Sequence, residues 1–255
     1  HGLANGPLHY ITHEVILTNL PLADRLSNVD PRISKAQLRS RIRSARANPP
    51  LAEAGPGSPS SSSPLPPTPA EAGPDSVAAS AWELIRSSPI RVLLAYAALP
   101  GEPDLDPALD RFLASGGTVF LPVVTKIGRP LQFGRVTGPM ATLEPQGRWG
   151  IREPHQDTEL LSPAQLLSPE VGLDLVFVPA LGFGADGARL GNGGGFYDRT
   201  FGPHGVVPLD AGPRVIGVCF ARELDLSGLV AEDWDLRIPA AVTERGLHTF
   251  DSTGS

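Results

Sequence analysis

The sequence predicts an α/β domain in which helices cover both faces of a mainly parallel central sheet. Near-continuous apolar runs at 91–98, 173–178 and 214–220 are typical of strands that are buried on both faces. Segments with helical periodicity separate these runs, and such alternation of strand and helix is typical of parallel sheets. Because ligands bind beyond the carboxyl ends of such strands, we expect the loops after residues 98 and 178 to form the site.

The individual elements follow from local patterns. A helix over 34–47 begins with the capping box of Ser34 and Gln37 and carries an apolar stripe of Leu38, Ile42 and Ala45. Further helices are predicted at 77–86, 107–115, 163–167 and 198–201, and further strands at 118–124 and 236–242. The segment 128–153 is rich in glycine and proline and is expected to form short β-like pieces.

The predicted domain is interrupted once. Residues 48–74 are almost entirely Pro, Ser, Gly and Ala with few large apolar side chains, so the segment cannot bury enough surface to offset its ordering entropy. We therefore expect a disordered insert there. Residues 1–30 alternate only weakly and are expected to form an N-terminal extension of uncertain order. The predicted organisation is one α/β domain over 31–250 that contains the insert.

The composition excludes several classes of function. The 255 residues carry a formal net charge of −6, which argues against nucleic acid or an anionic membrane as the main partner. With Cys219 as its single cysteine the chain forms no internal disulfide and no cysteine metal site, and the apolar run around Cys219 predicts a core residue. No apolar stretch approaches the ~20 residues of a membrane span, and the N-terminus lacks a signal pattern. A soluble cytoplasmic protein is expected.

The most unusual stretch is Arg-Leu-Gly-Asn-Gly-Gly-Gly-Phe-Tyr-Asp-Arg at 189–199, whose residues 191–195 we call the glycine loop. A backbone that approaches a bulky anion and directs N–H groups towards it needs such glycines. The loop is neither a dinucleotide fingerprint nor a P-loop, because it lacks the sixth-position glycine and a following Gly-Lys-Ser/Thr. The motif alone fits two interpretations of the loop equally well. It is either an anion-binding turn that leads into a helix or an ordinary tight turn.

Charged residues elsewhere suggest partners for this loop. Lys35 and Arg39 are four residues apart, so they project from the same side of the first helix. Two cations so placed can bind a polyphosphate, but a solvated basic face fits the spacing as well. Glu102 lies where a strand meets a turn, which suits either a ligand contact or an ordinary loop acid. Asp198 and Asp235 lie near predicted element ends, and Mg²⁺ is usually held by one or two carboxylates together with phosphates and waters.

Residues 178–200, V-P-A-L-G-F-G-A-D-G-A-R-L-G-N-G-G-G-F-Y-D-R-T, closely resemble the signature of 5-formyltetrahydrofolate cyclo-ligases, also called methenyltetrahydrofolate synthetases. Three further pieces occur in the order of that family. The segment 34–39 resembles its Lys-x-x-x-Arg helix, 96–102 its strand followed by Glu, and 235–244 its C-terminal Asp-to-Thr-Glu segment. The resemblance covers roughly residues 31–250 apart from the insert.

The resemblance implies a three-layer α/β sandwich and an enzyme that uses ATP and Mg²⁺. Members convert 5-formyltetrahydrofolate to 5,10-methenyltetrahydrofolate and release ADP and phosphate. No protein nucleophile or general base is implied, and a monomer is expected. Two alternatives stay open, a non-catalytic nucleotide- or folate-binding paralogue and a sugar-phosphate isomerase on a related fold. The isomerase would need an acid/base pair near the loop, and the sequence offers no convincing one.

The resemblance also implies roles for individual residues. ATP would be bound by Lys35, Arg39, Arg189, Leu190, Gly191, Asn192, Gly193, Gly194, Gly195, Phe196 and Tyr197. The folate would contact Ala97 and Glu102 and would share Asn192, Gly193, Gly194, Gly195 and Phe196 with the nucleotide. Asp198 and Asp235 would serve Mg²⁺. Some members carry Lys at the position of Gly194, so here Lys35, Arg39 and Mg²⁺ are expected to neutralise the transferred phosphoryl group.

Overall fold

The computed structural model describes residues 34–48, 76–147, 150–209 and 212–251. The predicted N-terminal extension at 1–30 lies outside the described residues, as does the predicted insert at 48–74 apart from its first residue. Among the residues that are described, no helix has both the length and the apolar character needed to cross a membrane.

The described chain alternates strands and helices. The strands are β1 (Val92–Leu94), β2 (Thr118–Val123), β3 (Gln132–Arg135), β4 (Glu144–Gln146), β5 (Ile151–Glu153), β6 (Leu160–Leu161), β7 (Leu175–Pro179), β8 (Gly182–Phe183), β9 (Arg189–Leu190), β10 (Arg214–Val218), β11 (Ala240–Thr243) and β12 (Gly246–Thr249). The α-helices are α1 (Lys35–Ala47), α2 (Val77–Arg86), α3 (Asp106–Ala114), α4 (Pro163–Leu166) and α5 (Phe196–Phe201).

Eight strands form the central sheet in the order β12-β11-β10-β7-β1-β2-β3-β6. The five strands from β11 to β2 in this order are parallel, whereas β12, β3 and β6 pair antiparallel at the two edges. The predicted mainly parallel sheet is therefore confirmed. The chain adds β2 on one side of β1 and later β7 on the other, so the order reverses between β1 and β7. In such sheets this switch point is where ligands bind.

Helices cover both faces of the sheet, which confirms the predicted three layers. On one face α2 and α3 pack against the strands, and Phe112 of α3 belongs to the same buried cluster as Leu93 and Phe177. On the other face α4 and α5 contribute to a second cluster, in which Phe201 stacks on Phe133 with ring centroids 5.6 Å apart. Burial of this much apolar surface on both faces is the main stabilising contribution to the fold.

Helix α1 lies outside these layers and is placed by its own sequence. Ser34 Oγ accepts from Gln37 N at 3.3 Å while Ser34 N donates to Gln37 Oε1 at 3.0 Å, so the predicted capping box is confirmed. The buried stripe of Leu38 and Ile42 packs against Leu190 of β9. This packing sets the basic face of α1 beside the glycine loop.

Two hairpins were not predicted. β8 and β9 form a short antiparallel pair between β7 and the glycine loop, so the loop follows a hairpin and does not directly follow the buried strand. Strands of two residues are too short to show a period. β12 returns antiparallel to β11, and its alternating partial exposure leaves no apolar run. The predicted strand at 236–242 begins only at Ala240, directly after Pro239, which has no N–H for the ladder.

Candidate functional site

A cavity of about 740 Å³ opens at the switch point between β1 and β7. Its walls come from α1, the loop after β1, the glycine loop with the start of α5, the segment 232–235, and the region of β2 and β5. The loops after residues 98 and 178, predicted to form the site, do line it. Segments that are distant in sequence therefore meet at the carboxyl ends of the central strands.

The glycine loop has a backbone that only glycine adopts easily. Gly193 and Gly195 have φ angles of 98° and 64°, in the left-handed region that disfavours other residues. A Cβ on Gly195 would also lie 2.7 Å from Arg199 Nη1. Within the described residues, the N–H groups from Gly191 to Gly194 donate no hydrogen bond. Unused N–H groups beside a cavity favour the anion-binding interpretation of the loop over an ordinary tight turn.

The basic face of α1 is turned towards this loop. Lys35, Arg39 and Arg43 follow one another at intervals of four, and all three line the cavity. Arg39 Nε donates to Gly191 O at 2.8 Å, and Arg43 Nη2 donates to Asn192 O at 2.7 Å. The face is therefore part of the site and not simply a solvated surface. Sequence reasoning missed Arg43, although its spacing from Arg39 could have identified it.

Arg189 and Asp198 form a partly buried ion pair in the cavity wall. Arg189 Nη2 lies 2.9 Å from Asp198 Oδ1, and the Arg189 guanidinium lies over the Tyr197 ring at 5.6 Å from the ring centroid. Leu236 N donates to the same Asp198 oxygen at 3.0 Å. Asp198 thus ties the stretch around the glycine loop to the segment that precedes β11.

Lys35 and Asp235 form a second ion pair across the cavity. Lys35 Nζ lies 2.7 Å from Asp235 Oδ2, which also accepts from Glu232 N at 2.9 Å. Burial alone would raise the pKa of Asp235, but these hydrogen bonds and the Lys35 charge outweigh it and lower the pKa below the ordinary value. A lowered pKa means that the pair is intact at neutral pH and is lost only as the pH falls below about 4.

Asp198 and Asp235, the two predicted magnesium-binding residues, suit a cation that enters the cavity already bound to another molecule. Asp198 and Asp235 both line the cavity, and in the described part of the chain Asp198 Oδ2 and Asp235 Oδ1 accept no hydrogen bond. The residues that the structure describes contain no group of three or more His, Cys, Asp or Glu side chains that could hold a metal ion. Two carboxylates without a third ligand fit Mg²⁺ bound to phosphates and water, and do not form a closed protein site.

Glu102 faces the glycine loop from the opposite wall. Its Oε1 accepts from Asn192 Nδ2 at 2.8 Å, and its Oε2 accepts from Leu99 N at 3.0 Å. Ala97 lines the same part of the cavity. Leu190, by contrast, is completely buried against α1 and is not part of the lining. Its assignment to a bound nucleotide stays a prediction, as do the roles of the other predicted site residues.

Several lining residues were not predicted from the sequence. The apolar side chains of Pro122, Val124, Leu131 and Ile151 also line the cavity, and we call them the apolar wall. Arg199 lies over the Phe196 ring at 5.4 Å and donates to Gly194 O. Arg152, His204 and Trp234 also line the cavity. The apolar wall carries no local signal, because β2, β5 and the loop before β3 bring its residues together only in the folded chain.

Tyr197 places a hydroxyl in the cavity wall that has no partner among the described residues. Burial raises its pKa, so the hydroxyl is neutral and keeps its proton near neutral pH. A buried polar group without a hydrogen bond lowers the stability of the fold.

Comparison with known proteins gives one consistent family. Residues 32–244 match the model described as the 5-formyltetrahydrofolate cyclo-ligase family. The chain is 35% identical over 164 residues to the 5-formyltetrahydrofolate cyclo-ligase of Mycolicibacterium smegmatis, covering 62% of this chain and 76% of that protein. It is 30% identical over 154 residues to the protein of the same name from Escherichia coli (strain K12), covering 58% and 75%.

Solved structures agree at the level of the fold. The NMR structure of Aquifex aeolicus 5,10-methenyltetrahydrofolate synthetase superposes with a TM-score of 0.58 at 23% identity, over 88% of this chain and 96% of that chain. The synthetase from Mycoplasma pneumoniae superposes with a TM-score of 0.55 at 16% identity, over 83% and 99%.

Proposed function

Because this chain belongs to the 5-formyltetrahydrofolate cyclo-ligase family, we propose that it converts 5-formyltetrahydrofolate to 5,10-methenyltetrahydrofolate with ATP as co-substrate. The observation that carries the proposal is the meeting of Lys35, Glu102, the glycine loop, Asp198 and Asp235 in one cavity. These residues span 200 positions of the sequence, so a shared cavity is not a consequence of their spacing along the chain.

The nucleotide end of the site is the glycine loop with α1. The unused loop N–H groups bind phosphate oxygens, and the cations at Lys35, Arg39 and Arg189 offset their charge. Asp198 and Asp235, whose carboxylates line the same cavity, would hold the Mg²⁺ that accompanies the nucleotide. Bound Mg²⁺ would supply further charge neutralisation at the phosphates.

The folate end of the site is the apolar wall with Glu102. Flat aromatic rings bind well against apolar side chains, and Leu131, Ile151 and Phe196 offer such a surface. Glu102 would accept hydrogen bonds from the amino and ring N–H groups of the pterin, and its contact with Asn192 places it next to the glycine loop. The two ligands would therefore meet at the loop.

The residue types of the site suit activation of the 5-formyl group of the folate, which is a formamide. Its oxygen is a poor leaving group, so ring closure by N10 needs that oxygen to be converted to a better one. Transfer of the γ-phosphoryl group of ATP to the formyl oxygen leaves ADP and makes the formyl carbon electrophilic. N10 then bonds to this carbon and loses its proton, the bond between the carbon and the phosphorylated oxygen breaks, and the departing phosphate takes up the proton. Phosphoryl transfer depends mainly on positioning and on charge stabilisation, and the cavity supplies backbone N–H groups and cations for both.

We expect the purified full-length chain to produce the methenyl absorbance when 5-formyltetrahydrofolate, ATP and Mg²⁺ are all present, and not when any one of them is omitted. Release of one ADP per methenyl product would establish the stoichiometry. A folded protein that binds ATP but never produces the methenyl signal would contradict the enzyme and favour a non-catalytic paralogue. A cytoplasmic location and a monomeric state stay predictions, and size-exclusion chromatography with light scattering tests the second.

Substitution of Glu102 by alanine is expected to weaken folate binding by at least about tenfold and to leave ATP binding nearly unchanged. A hydrogen bond to a charged group contributes about 1.5–3 kcal/mol, and in the proposed function Glu102 accepts hydrogen bonds from the folate but makes no contact with ATP. Titration calorimetry with each ligand separately measures both affinities. Asp104→Ala, a change to a carboxylate in the same loop that does not line the cavity, is the matched control. Equal loss of both affinities in Glu102→Ala would contradict the assigned role.

A further inference from the structure

Three arginine side chains bind the carbonyl groups of the glycine loop. Arg39 Nε donates to Gly191 O at 2.8 Å, and Arg43 Nη2 donates to Asn192 O at 2.7 Å. Arg199 Nη2 donates to Gly194 O. We call these three side chains the arginine clamp. Arg39 and Arg43 come from α1 and Arg199 from α5, so the clamp holds the loop from two separate elements.

The clamp determines where the N–H groups of the loop point. In a planar trans peptide the C=O and N–H bonds point in opposite directions, and the described chain contains no cis peptide bond. A carbonyl held by one arginine therefore turns the N–H of the next residue away from that arginine. The three contacts in this way orient the N–H groups of Asn192, Gly193 and Gly195.

Apart from the clamp, the side-chain hydrogen bond to the loop in the described chain is the one from Asn192 Nδ2 to Glu102 Oε1 at 2.8 Å. Among the described residues the loop's only backbone hydrogen bond is the one that Gly195 O accepts from Arg199 N at 3.0 Å. Glycine has the largest conformational freedom of all residues, and three of the four glycines stand next to one another here. Without the clamp, the loop would lose this freedom only when a ligand binds, and the affinity would fall accordingly.

Local contacts hold the Arg199 side chain against the loop. Its guanidinium lies over the Phe196 ring at 5.4 Å, and its Nε is buried without a partner in the described chain. The missing side chain of Gly195 gives it room, because a Cβ there would lie 2.7 Å from Nη1. Arg43 makes a second contact, to Asn192 Oδ1 at 3.3 Å. Packing against Phe196 thus holds Arg199 in place, whereas Arg43 is held by its two contacts to Asn192.

We propose that Arg43 and Arg199 are positioning residues that keep the glycine loop in the conformation that binds the nucleotide phosphates. This inference rests on the proposed function, since it assigns the loop to ATP. The two arginines act through the loop carbonyls, and the loop N–H groups make the contact with the ligand. A direct contact of either guanidinium with phosphate would be a different role, and the experiment separates the two.

The test combines ¹⁵N relaxation of the free protein with the affinity for ATP. In the unmodified chain we expect order parameters near the value of about 0.85 that is typical of rigid backbone for the amides of Asn192, Gly193 and Gly195. In Arg43→Ala and Arg199→Ala they are expected to fall below about 0.6, with the dissociation constant for ATP raised about tenfold. The order parameters of the central sheet should not change.

Arg86→Ala is the matched control, because Arg86 pairs with Glu83 on α2 and lies outside the cavity. Weaker ATP binding with unchanged loop order would overturn the proposal and indicate direct phosphate contact. An unchanged loop and unchanged ATP affinity would overturn it outright. If the unmodified chain does not bind ATP, the proposed function fails, whereas the order parameters of the free protein still decide whether the arginines hold the loop.

Discussion

Glu223→Ala is expected to lower the free energy of unfolding by about 3–5 kcal/mol, because it leaves a buried guanidinium without its carboxylate. Arg46 Nε and Nη2 donate to the two Glu223 oxygens at 2.8 and 2.7 Å, and the two side chains are only 5% and 2% exposed. Arg46 Nη2 also donates to Ala180 O at 2.9 Å. The pair therefore fixes the C-terminal part of α1 to the loop after β7 and to the turn Ala221–Glu223 that follows β10.

Urea unfolding of a set of variants tests this expectation. In the double variant Arg46→Met, Glu223→Leu most of the loss should be recovered, since replacing both partners of a buried pair by apolar side chains is often nearly neutral. Glu83→Ala removes a carboxylate from the exposed pair with Arg86 and should cause no measurable change. If Glu223→Ala lowers the free energy of unfolding by less than about 1 kcal/mol, water must reach the Arg46–Glu223 pair in solution.

The Arg46–Glu223 pair also shows where sequence reasoning ends. The capping box and the apolar stripe of α1 are local patterns, so the helix and its buried face could be predicted from the sequence. Arg46 is one of several cations on α1, and its position in the sequence does not set it apart from them. Its partner lies 177 residues away, and no local pattern encodes a contact at that separation. Burial of Arg46 is a property of the tertiary fold alone.

The candidate site also has features that the sequence predicts and features that only the tertiary fold determines. Lys35, Glu102, Asp198 and Asp235 were predicted as site residues because family resemblance records residue type and order, and all four line the cavity. The pairs that these side chains form, such as Lys35 with Asp235, arise only when folding brings distant segments of the chain together. The apolar wall was missed because its residues look like ordinary strand residues in the sequence. Motifs thus predicted the polar groups of the site better than its shape.

Asp198→Asn is expected to reduce kcat/KM by about 10²–10³-fold while leaving the fold nearly as stable as before. The asparagine Oδ1 can still accept from Arg189 and from Leu236 N, so the tie between the glycine loop and the segment before β11 is kept. What the variant loses is one negative charge. That charge balances Arg189 and, in the proposed function, binds the Mg²⁺ that accompanies ATP, so the Mg²⁺ concentration for half-maximal rate should rise.

Two further variants separate the charge of Asp198 from its structural contacts. Asp198→Ala removes both, and its free energy of unfolding should fall by about a further 1–3 kcal/mol, since Leu236 N and the Arg189 guanidinium lose a shared acceptor. Asp186→Asn weakens a surface pair with Arg237 outside the cavity and should leave the rate unchanged. If Asp198→Asn keeps more than about a tenth of the rate at the same Mg²⁺ concentration, a role for its charge in catalysis is contradicted. Asp198 would then serve to position Arg189, and the metal would have to be held mainly by Asp235 and the phosphates.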